Sequence, residues 1–278
     1  MKPMLAHKFN DHKHKLPEKF YVQPKLNGIR AIYNNQVFQS RDEVLWHHSV
    51  LTHLTAQLEK VISPHFILDG ELYVHGWSLQ KINSAVSVNR LSPHKNTPSI
   101  EYHVFDLIDT TRPELPFADR VELLDALLAR TIYHNTPNIK VVTTSRCGLL
   151  IAEAQYSMYK AAGYEGLMYR HPDAPYGILE NCGNKDNRWA CLLKRKDWMD
   201  DDFEITDFEI TTGDKGFRGF KLTCRAHNGN YFRVGSGLAS EEVDEFEVSP
   251  PIGRKAKVRY EMLSDDGTPL KPTLEIVL

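Results

Sequence analysis

The sequence predicts an α+β fold in two parts, with strands alternating with helices over residues 1–199 and a small β-barrel over residues 200–278. Three observations support this. Apolar periods of two and of 3.6 residues alternate through the first part. An acidic run, Asp200-Asp201-Asp202, marks a shift in composition and reads as an exposed linker. Beyond it helical periodicity almost vanishes, and short alternating segments are separated by glycine-rich turns.

The elements follow in order. Phe20 to Gln23 reads as a strand. Ala31-Ile32-Tyr33 and Val37-Phe38 suggest a hairpin about an Asn34-Asn35 turn. Val50, Leu51, Leu54, Leu58, Val61 and Ile62 recur at helical spacing. Phe66-Ile67-Leu68 and Leu72-Tyr73-Val74 read as short strands around Asp69-Gly70. Trp77 to Val88 reads as a helix. Tyr102 to Ile108 is an apolar strand broken only by His103 and Asp106. Pro116 to Leu128 is a helical pattern with proline near its first turn. Ile139 to Val142 suggests a strand, and Leu149 to Ala162 a helix stopped by Gly163. Leu167-Met168-Tyr169 and Cys191-Leu192-Leu193 are strand-like. In the second part, strand-like segments cover Phe203 to Ile210, Phe220 to Arg225, Tyr231 to Val234, Ala256 to Met262 and Leu274 to Leu278. A short helical pattern, Ser240 to Phe246, interrupts them. This is the outline of an OB-type barrel, and an SH3-like barrel reads much the same.

The 278 residues suit two domains of ordinary size and can bury a sizeable core. Hydrophobic content of 41% and charged content of 25% are those of a globular protein. No apolar run is long enough to span a membrane, so no membrane partner is expected. The segment Met1 to Lys8 has no apolar stretch of the secretory type, and a cytoplasmic location is the default expectation. Cys147, Cys182, Cys191 and Cys224 form no C-x-x-C pair and no zinc-type cluster, so free thiols are expected. The net charge of −2 conceals an asymmetry. Residues 1–199 carry 24 Lys+Arg against 20 Asp+Glu, and residues 200–278 carry 10 against 16. A polyanion would meet its positive surface mainly on the first part.

Lys25-Leu26-Asn27-Gly28-Ile29-Arg30 is the most informative stretch. It places a primary amine just after a strand and a proline, followed at once by a glycine and a second cation. An amine is a poor nucleophile while protonated, and neighbouring cations and partial burial favour its neutral form. Gly28 lets backbone come close to a ligand. Arg30 suits a bidentate grip on carboxylate or phosphate. By itself the hexapeptide reads as a polar hairpin far more often than as an active site. Five further groups accompany it: Ser40-Arg41 closing the hairpin, Asp69-Gly70-Glu71, Phe105-Asp106 in an apolar strand, Glu165-Gly166-Leu167-Met168-Tyr169-Arg170, and Lys194-Arg195-Lys196.

Together and in this order these groups resemble the motif set of the covalent nucleotidyltransferases, the small ATP-dependent DNA ligases in particular. The resemblance runs from Pro3-Met4-Leu5-Ala6 through Lys196 and more loosely beyond. It implies a nucleotidyltransferase (adenylation) domain of antiparallel sheets flanked by helices over residues 1–199, then an OB-fold domain over residues 200–278. It also implies sealing of nicked double-stranded DNA, ATP and Mg²⁺ as cofactors, and a monomer. Lys25 would attack the α-phosphate of ATP and carry AMP. The AMP would pass to a DNA 5′-phosphate, and the adjacent 3′-hydroxyl would displace it. Lys194 and Lys196, which share a strand face, would touch the α-phosphate. Glu165 would offer Mg²⁺ a hard oxygen. Glu71 would accept from a ribose hydroxyl, Phe105 would stack on adenine, and Gln23 would read the adenine edge. Arg30 and Arg41 would suit the 5′-phosphate of the nick.

The pattern is departed from twice. Asn27 stands where the family has aspartate, keeping the turn-forming acceptor but losing the charge. Near the end, Gly267-Thr268-Pro269 resembles the approach to a basic family motif, with Lys271 as the one stand-in. With no separate DNA-binding domain expected, the catalytic part's own loops would grip DNA. The segments Asn89 to Lys95 and Asn184 to Trp189 are the candidates. An RNA ligase or capping-type nucleotidyltransferase is the alternative, since it would share Lys25, Glu71, Glu165, Lys194 and Lys196. The OB-like second part and Gln23-Pro24-Lys25 favour the DNA ligases. A non-catalytic nucleic-acid binder with a degenerate nucleotidyltransferase domain is disfavoured by the intact lysines.

Overall fold

Two five-stranded sheets organise the first part of the chain. In the computed structural model it forms one unit, Met1–Lys196, and Asp197–Leu278 forms a second. The structure describes residues 2–177, 188–212 and 218–278. The strands of the first unit are β1 (Leu5–Lys8), β2 (Phe20–Lys25), β3 (Ile29–Asn34), β4 (Val37–Ser40), β5 (Phe66–Tyr73), β6 (Glu101–Asp109), β7 (Ile139–Val141), β8 (Ser145–Cys147), β9 (Gly166–Arg170) and β10 (Arg188–Lys196). One sheet has the order β1-β10-β9-β2-β8, the other β4-β3-β5-β6-β7. Among the described residues only the β1–β10 and β6–β7 pairings are parallel. We refer to these as the nucleophile sheet and the stacking sheet, after the roles that the sequence resemblance implies for Lys25 and Phe105.

Burial follows the sequence periods. Leu54, Leu58 and Val61 of α2 (Thr52–Val61) and Ile82, Ala85 and Val86 of α3 (Leu79–Val86) are buried against the stacking sheet. Leu124 and Leu127 of α4 (Phe117–Tyr133) join the same core. Ala152 and Tyr156 of α5 (Leu149–Ala161) pack on the nucleophile sheet with Phe20, Val22, Leu167 and Tyr169. A third cluster, with Met4, Ala6, Ile32, Ile67, Ile108 and Leu192, draws residues from both sheets. Apolar contact of this kind is strong but non-directional.

Three local expectations change. The hairpin turn sits one residue later, because Asn34 pairs with Val37, and Asn35 and Gln36 take the two left-handed positions. Asp69-Gly70 does not interrupt a strand. β5 is continuous, and the irregularity is a bulge that makes Phe105 the extra residue on β6. The Trp77 to Val88 helix is shorter, starting after Ser78, whose side chain caps Lys81 N at 3.2 Å.

In the second unit the sheet has the order β13-β12-β11-β14-β17. These strands are β11 (Met199–Thr212), β12 (Arg218–Arg225), β13 (Tyr231–Val234), β14 (Lys255–Tyr260) and β17 (Thr273–Val277), with β15 (Met262–Leu263) and β16 (Pro269–Leu270) as a separate pair. The acidic run is no linker. It lies in β11, with Asp200 opposite Arg259 and Asp202 opposite Lys257, and Lys257 Nζ is 3.0 Å from Asp200. Cations stand across the ladder from Asp200 and Asp202, and Asp201, opposite Val258, pairs with His227 Nε2 at 2.7 Å. The expected closed barrel is not seen among the described residues. β11 gives its first half to β14 and its second half to β12, and β13 and β17 end the ladder. Val243 of α6 (Ser240–Val248) enters the core with Phe203, Ile205, Leu222 and Val258.

Cys147, Cys191 and Cys224 are free thiols, and Cys182 lies outside the described residues. No described helix is long and apolar enough to cross a membrane.

Candidate functional site

Lys25 ends β2 and faces Gly166, the first residue of β9. The Glu165 backbone N–H donates to Lys25 O at 3.0 Å, which fixes the carboxylate beside the amine. Lys25 Nζ donates to Glu165 Oε2. Lys196, ending β10 opposite the same Gly166, places Nζ 3.4 Å from Glu165 Oε1. One carboxylate thus lies between two ammonium groups. All three side chains are mostly buried, with exposures of 20%, 14% and 11% for Lys25, Glu165 and Lys196. Low local dielectric strengthens these interactions relative to a surface pair. Lys194 lies two residues earlier on β10, opposite Met168.

Gly166 is where three strands meet. A methyl there would overlap the carbonyl oxygen of Arg195. Gly166→Ala is therefore expected to part β9 from β10 and destabilise the unit by about 3 kcal/mol or more. A melting curve checks this; an unchanged midpoint contradicts it.

The stacking sheet supplies the other groups. Glu71 stands opposite both Arg30 and His103, and accepts from Gly28 N at 3.1 Å. This close approach already requires glycine at position 28, since a Cβ would overlap Leu72 O and lie 2.8 Å from Glu71 Cγ. Burial pushes the Glu71 carboxyl up to about 7, against the pull of Lys25 and Arg30. The native chain then holds a proton that the unfolded chain releases. Stability should fall as pH rises from 4.5 towards about 7. Glu71→Gln should flatten that slope in melting curves; an equally steep slope in the variant contradicts the assignment.

Phe105 is half-buried, with the Arg30 and Arg170 guanidinium carbons 5.4 and 5.5 Å from its ring centre. Arg30 donates from Nε to Asp69 Oδ1 at 2.9 Å and from Nη1 to Met4 O at 2.6 Å. Asp69 also accepts from Tyr176 Oη at 2.6 Å. Gln23 is 1% exposed. Its Nε2 donates to Phe105 O at 2.9 Å and Thr144 Oγ1 at 2.8 Å, while its Oε1 accepts from Arg170 Nε at 2.7 Å. Gln23 and Arg30 therefore have internal partners in place of the expected adenine-edge and phosphate contacts. Arg41 is exposed on the turn after β4, at the opposite end of that strand from Asn35-Gln36.

Arg90 and Lys271, two further expected contact residues, have partners of their own. Arg90 folds back on the end of α3, donating to Ser84 O and Ser92 O at 3.2 Å, so the 89–95 loop is ordered by its own cation. Residues 184–187 of the second candidate loop lie outside the described residues. Lys271 pairs with Glu261 at 2.9 Å in the second unit. Sequence reasoning gave no role to Asp106, Arg120 or Arg170, which form a buried ion cluster. The signal was present: a carboxylate in a strand as apolar as Tyr102 to Ile108 needs a buried cation.

The arrangement is an amine beside a carboxylate and a second amine, with Glu71 of the other sheet near enough to feel the charges of Lys25 and Glu165. The family model of the ATP dependent DNA ligase domain matches residues 3–192. The chain belongs to the ATP-dependent DNA ligases. The ligase uses ATP and acts on DNA, as its family does. The comparison with curated proteins finds no match. Among solved structures, a Lig E DNA ligase described as binding DNA with a minimal scaffold is 22% identical. The match covers 100% of this chain and 99% of that one, with a TM-score of 0.78. The Chlorella virus DNA ligase–adenylate is 20% identical over 100% and 98% of the two chains, with a TM-score of 0.55. The bacteriophage T7 ATP-dependent DNA ligase in complex with ATP is 15% identical over the same shares, with a TM-score of 0.54. At these identities the likeness is one of fold, a nucleotidyltransferase unit followed by an OB-type unit.

Proposed function

We propose that the ligase seals nicks in duplex DNA as a monomer, through an AMP adduct on Lys25. Residues 1–199 would be the adenylation domain and 200–278 the OB-fold domain. The observation that carries this is the Lys25–Glu165–Lys196 cluster at the joined ends of β2, β9 and β10. In the first step the Lys25 Nζ–phosphorus bond forms as the bond from the α-phosphorus to the β-phosphate oxygen breaks, and pyrophosphate leaves. Glu165, already hydrogen-bonded to Nζ, is positioned to accept the proton the amine must lose. Lys196, with Lys194 on the same strand face, neutralises charge that develops on the α-phosphate. Phe105 stacks on adenine and Glu71 accepts from a ribose hydroxyl. Next, the DNA 5′-phosphate displaces Lys25 from the AMP. The adjacent 3′-hydroxyl then attacks that 5′-phosphorus and expels AMP. Exposed Arg41 suits the 5′-phosphate, while Arg30 braces Phe105.

Mg²⁺ fits the donor chemistry. It takes one or two carboxylates together with substrate phosphates, and Glu165 would offer it a hard carboxylate oxygen. When bound there it would neutralise triphosphate charge.

A substrate panel tests the reading. With ATP and Mg²⁺ the chain should seal nicked DNA in preference to nicked RNA–DNA hybrid or single-stranded RNA. Preference for RNA would move it to the RNA ligases. Asn27→Asp should also remain active. A carboxylate added two residues from the amine favours its protonated form, so the rise of adduct formation with pH should shift to higher pH. An unshifted profile would remove Asn27 from the electrostatics of Lys25.

A further inference from the structure

The chemistry just described needs atoms from two sheets. Lys25, Lys194 and Lys196 belong to the nucleophile sheet, with Glu165 just before its strand β9, and Glu71 and Phe105 belong to the stacking sheet. If the base is held by one sheet and the phosphate met by the other, sheet-to-sheet alignment sets the attack distance. The apolar cluster between the sheets does not fix that alignment, because its contacts are non-directional.

One set of directional contacts does. Arg170, on β9 of the nucleophile sheet, donates from Nη1 to Asp106 Oδ2 on β6 at 2.6 Å. It donates from Nε to Gln23 Oε1, two residues before Lys25. Gln23 donates across to Phe105 O, the backbone of the stacking residue. Asp106 is in turn held by Arg120 Nε at 2.8 Å and Nη2 at 3.1 Å. The Arg170 guanidinium also lies near the Phe105 ring. Gln23, on the strand that ends in Lys25, and Arg170, on its neighbour, thus both reach Phe105, and Arg170 also binds Asp106 beside it.

Stability does not explain the second arginine. Asp106 and Arg120 alone make a neutral buried pair. Arg170 adds a second guanidinium to one carboxylate, and burial lowers its pKa despite Asp106. Burying a charge beyond what its partner compensates is unfavourable. A residue retained at such a site is better explained by geometry it imposes.

We propose that Arg170, acting through Gln23, is a positioning residue that aligns Phe105 with Lys25 for transfer of AMP to the amine. This rests on the proposed adenylation of Lys25. The side chains do not touch the reacting atoms. They set the distance between the group that holds the base and the group that attacks.

The test uses the full chain with Arg170→Met and, separately, Gln23→Glu. The first keeps the neutral Asp106–Arg120 pair. The second keeps the acceptor for Arg170 but removes both amide donations, including the one to Phe105 O. Three quantities are read: the melting midpoint, the single-turnover rate of AMP adduct formation over a range of ATP concentrations, and sealing of a nick that already carries a 5′-adenylate. That last reaction does not use Lys25 as nucleophile. For both variants the maximal rate of adduct formation should fall about 10- to 100-fold, the scale of a misplacement near 1 Å. Sealing of the pre-adenylated nick should fall far less, and Arg170→Met should melt near the wild type. Unchanged adduct formation overturns the inference, as does an equal loss in both reactions with a lowered midpoint, which marks a structural role. No adduct in the wild type overturns the adenylation reading and the inference with it, whereas an active wild type with unaffected variants overturns the inference alone.

Discussion

Lys25→Arg should form no AMP adduct with ATP and seal no ordinary nick, yet still seal a nick that carries a pre-formed 5′-adenylate. Arginine keeps the positive charge and can keep the contact with Glu165, so the fold should be undisturbed. Its guanidinium stays protonated in proteins and offers no lone pair for attack. Loss of a nucleophile acts on the scale of about 10⁴-fold or more. The pre-adenylated nick bypasses that step, because its AMP is displaced by a 3′-hydroxyl. Comparing the two substrates in one gel-based assay separates a missing nucleophile from a damaged enzyme. Equal loss on both substrates would place Lys25 in general phosphate binding instead.

Asp106→Ala should have the largest effect on stability. Asp106 is fully buried and accepts from two buried arginines, Arg120 and Arg170. Its removal leaves two guanidiniums without a counter-charge, a loss of about 3–5 kcal/mol. For a unit of this size that corresponds to a fall of roughly 10 °C in melting midpoint. Burial alone would raise the Asp106 carboxyl, but Arg120 and Arg170 hold it below its ordinary 3.8. A lowered native value means that Asp106 contributes stability above 3.8 and loses it as the pH falls through the native value. Acid titration of the melting midpoint should show this loss in the wild type and not in Asp106→Ala. The contrast with Arg170→Met is informative: the carboxylate holds the cluster together, and the second arginine does not. A variant as stable as the wild type would contradict the charge accounting for the whole cluster.

Much of this was legible from residue order. Six ordered motifs pointed to a ligase because each pairs a chemical group with a strand position. The i and i+2 spacing of Lys194 and Lys196, and Glu165 preceding a strand, put these residues at one strand junction with Lys25. What could not be read was which polar groups satisfy one another. Gln23 looked like a ligand-reading amide because its strand parity matches that of Lys25. The fold instead engages it with Phe105 O, Thr144 and Arg170, residues 82, 121 and 147 positions away. Arg30 likewise finds Asp69 across the β3–β5 pair. Long-range partners of this kind leave no local periodicity. Asp200-Asp201-Asp202 misled for a related reason. Its charge resembles that of a solvated linker, and the partners that hold it in a strand, Lys257 and Arg259 of β14 and His227, lie far along the chain. The Asp69-Gly70 pair resembled a turn because that dipeptide is common in turns, whereas here the glycine admits close packing, since a Cβ would lie 2.6 Å from His103 O and the Tyr102 ring.

The central claim is that Lys25 carries the AMP. The most direct measurement is mass spectrometry of the intact chain and its peptides after incubation with ATP and Mg²⁺. The account predicts a mass increase of one AMP, located on the peptide containing Lys25 and lost on adding nicked DNA. An unmodified chain, or AMP on a different residue, would contradict it.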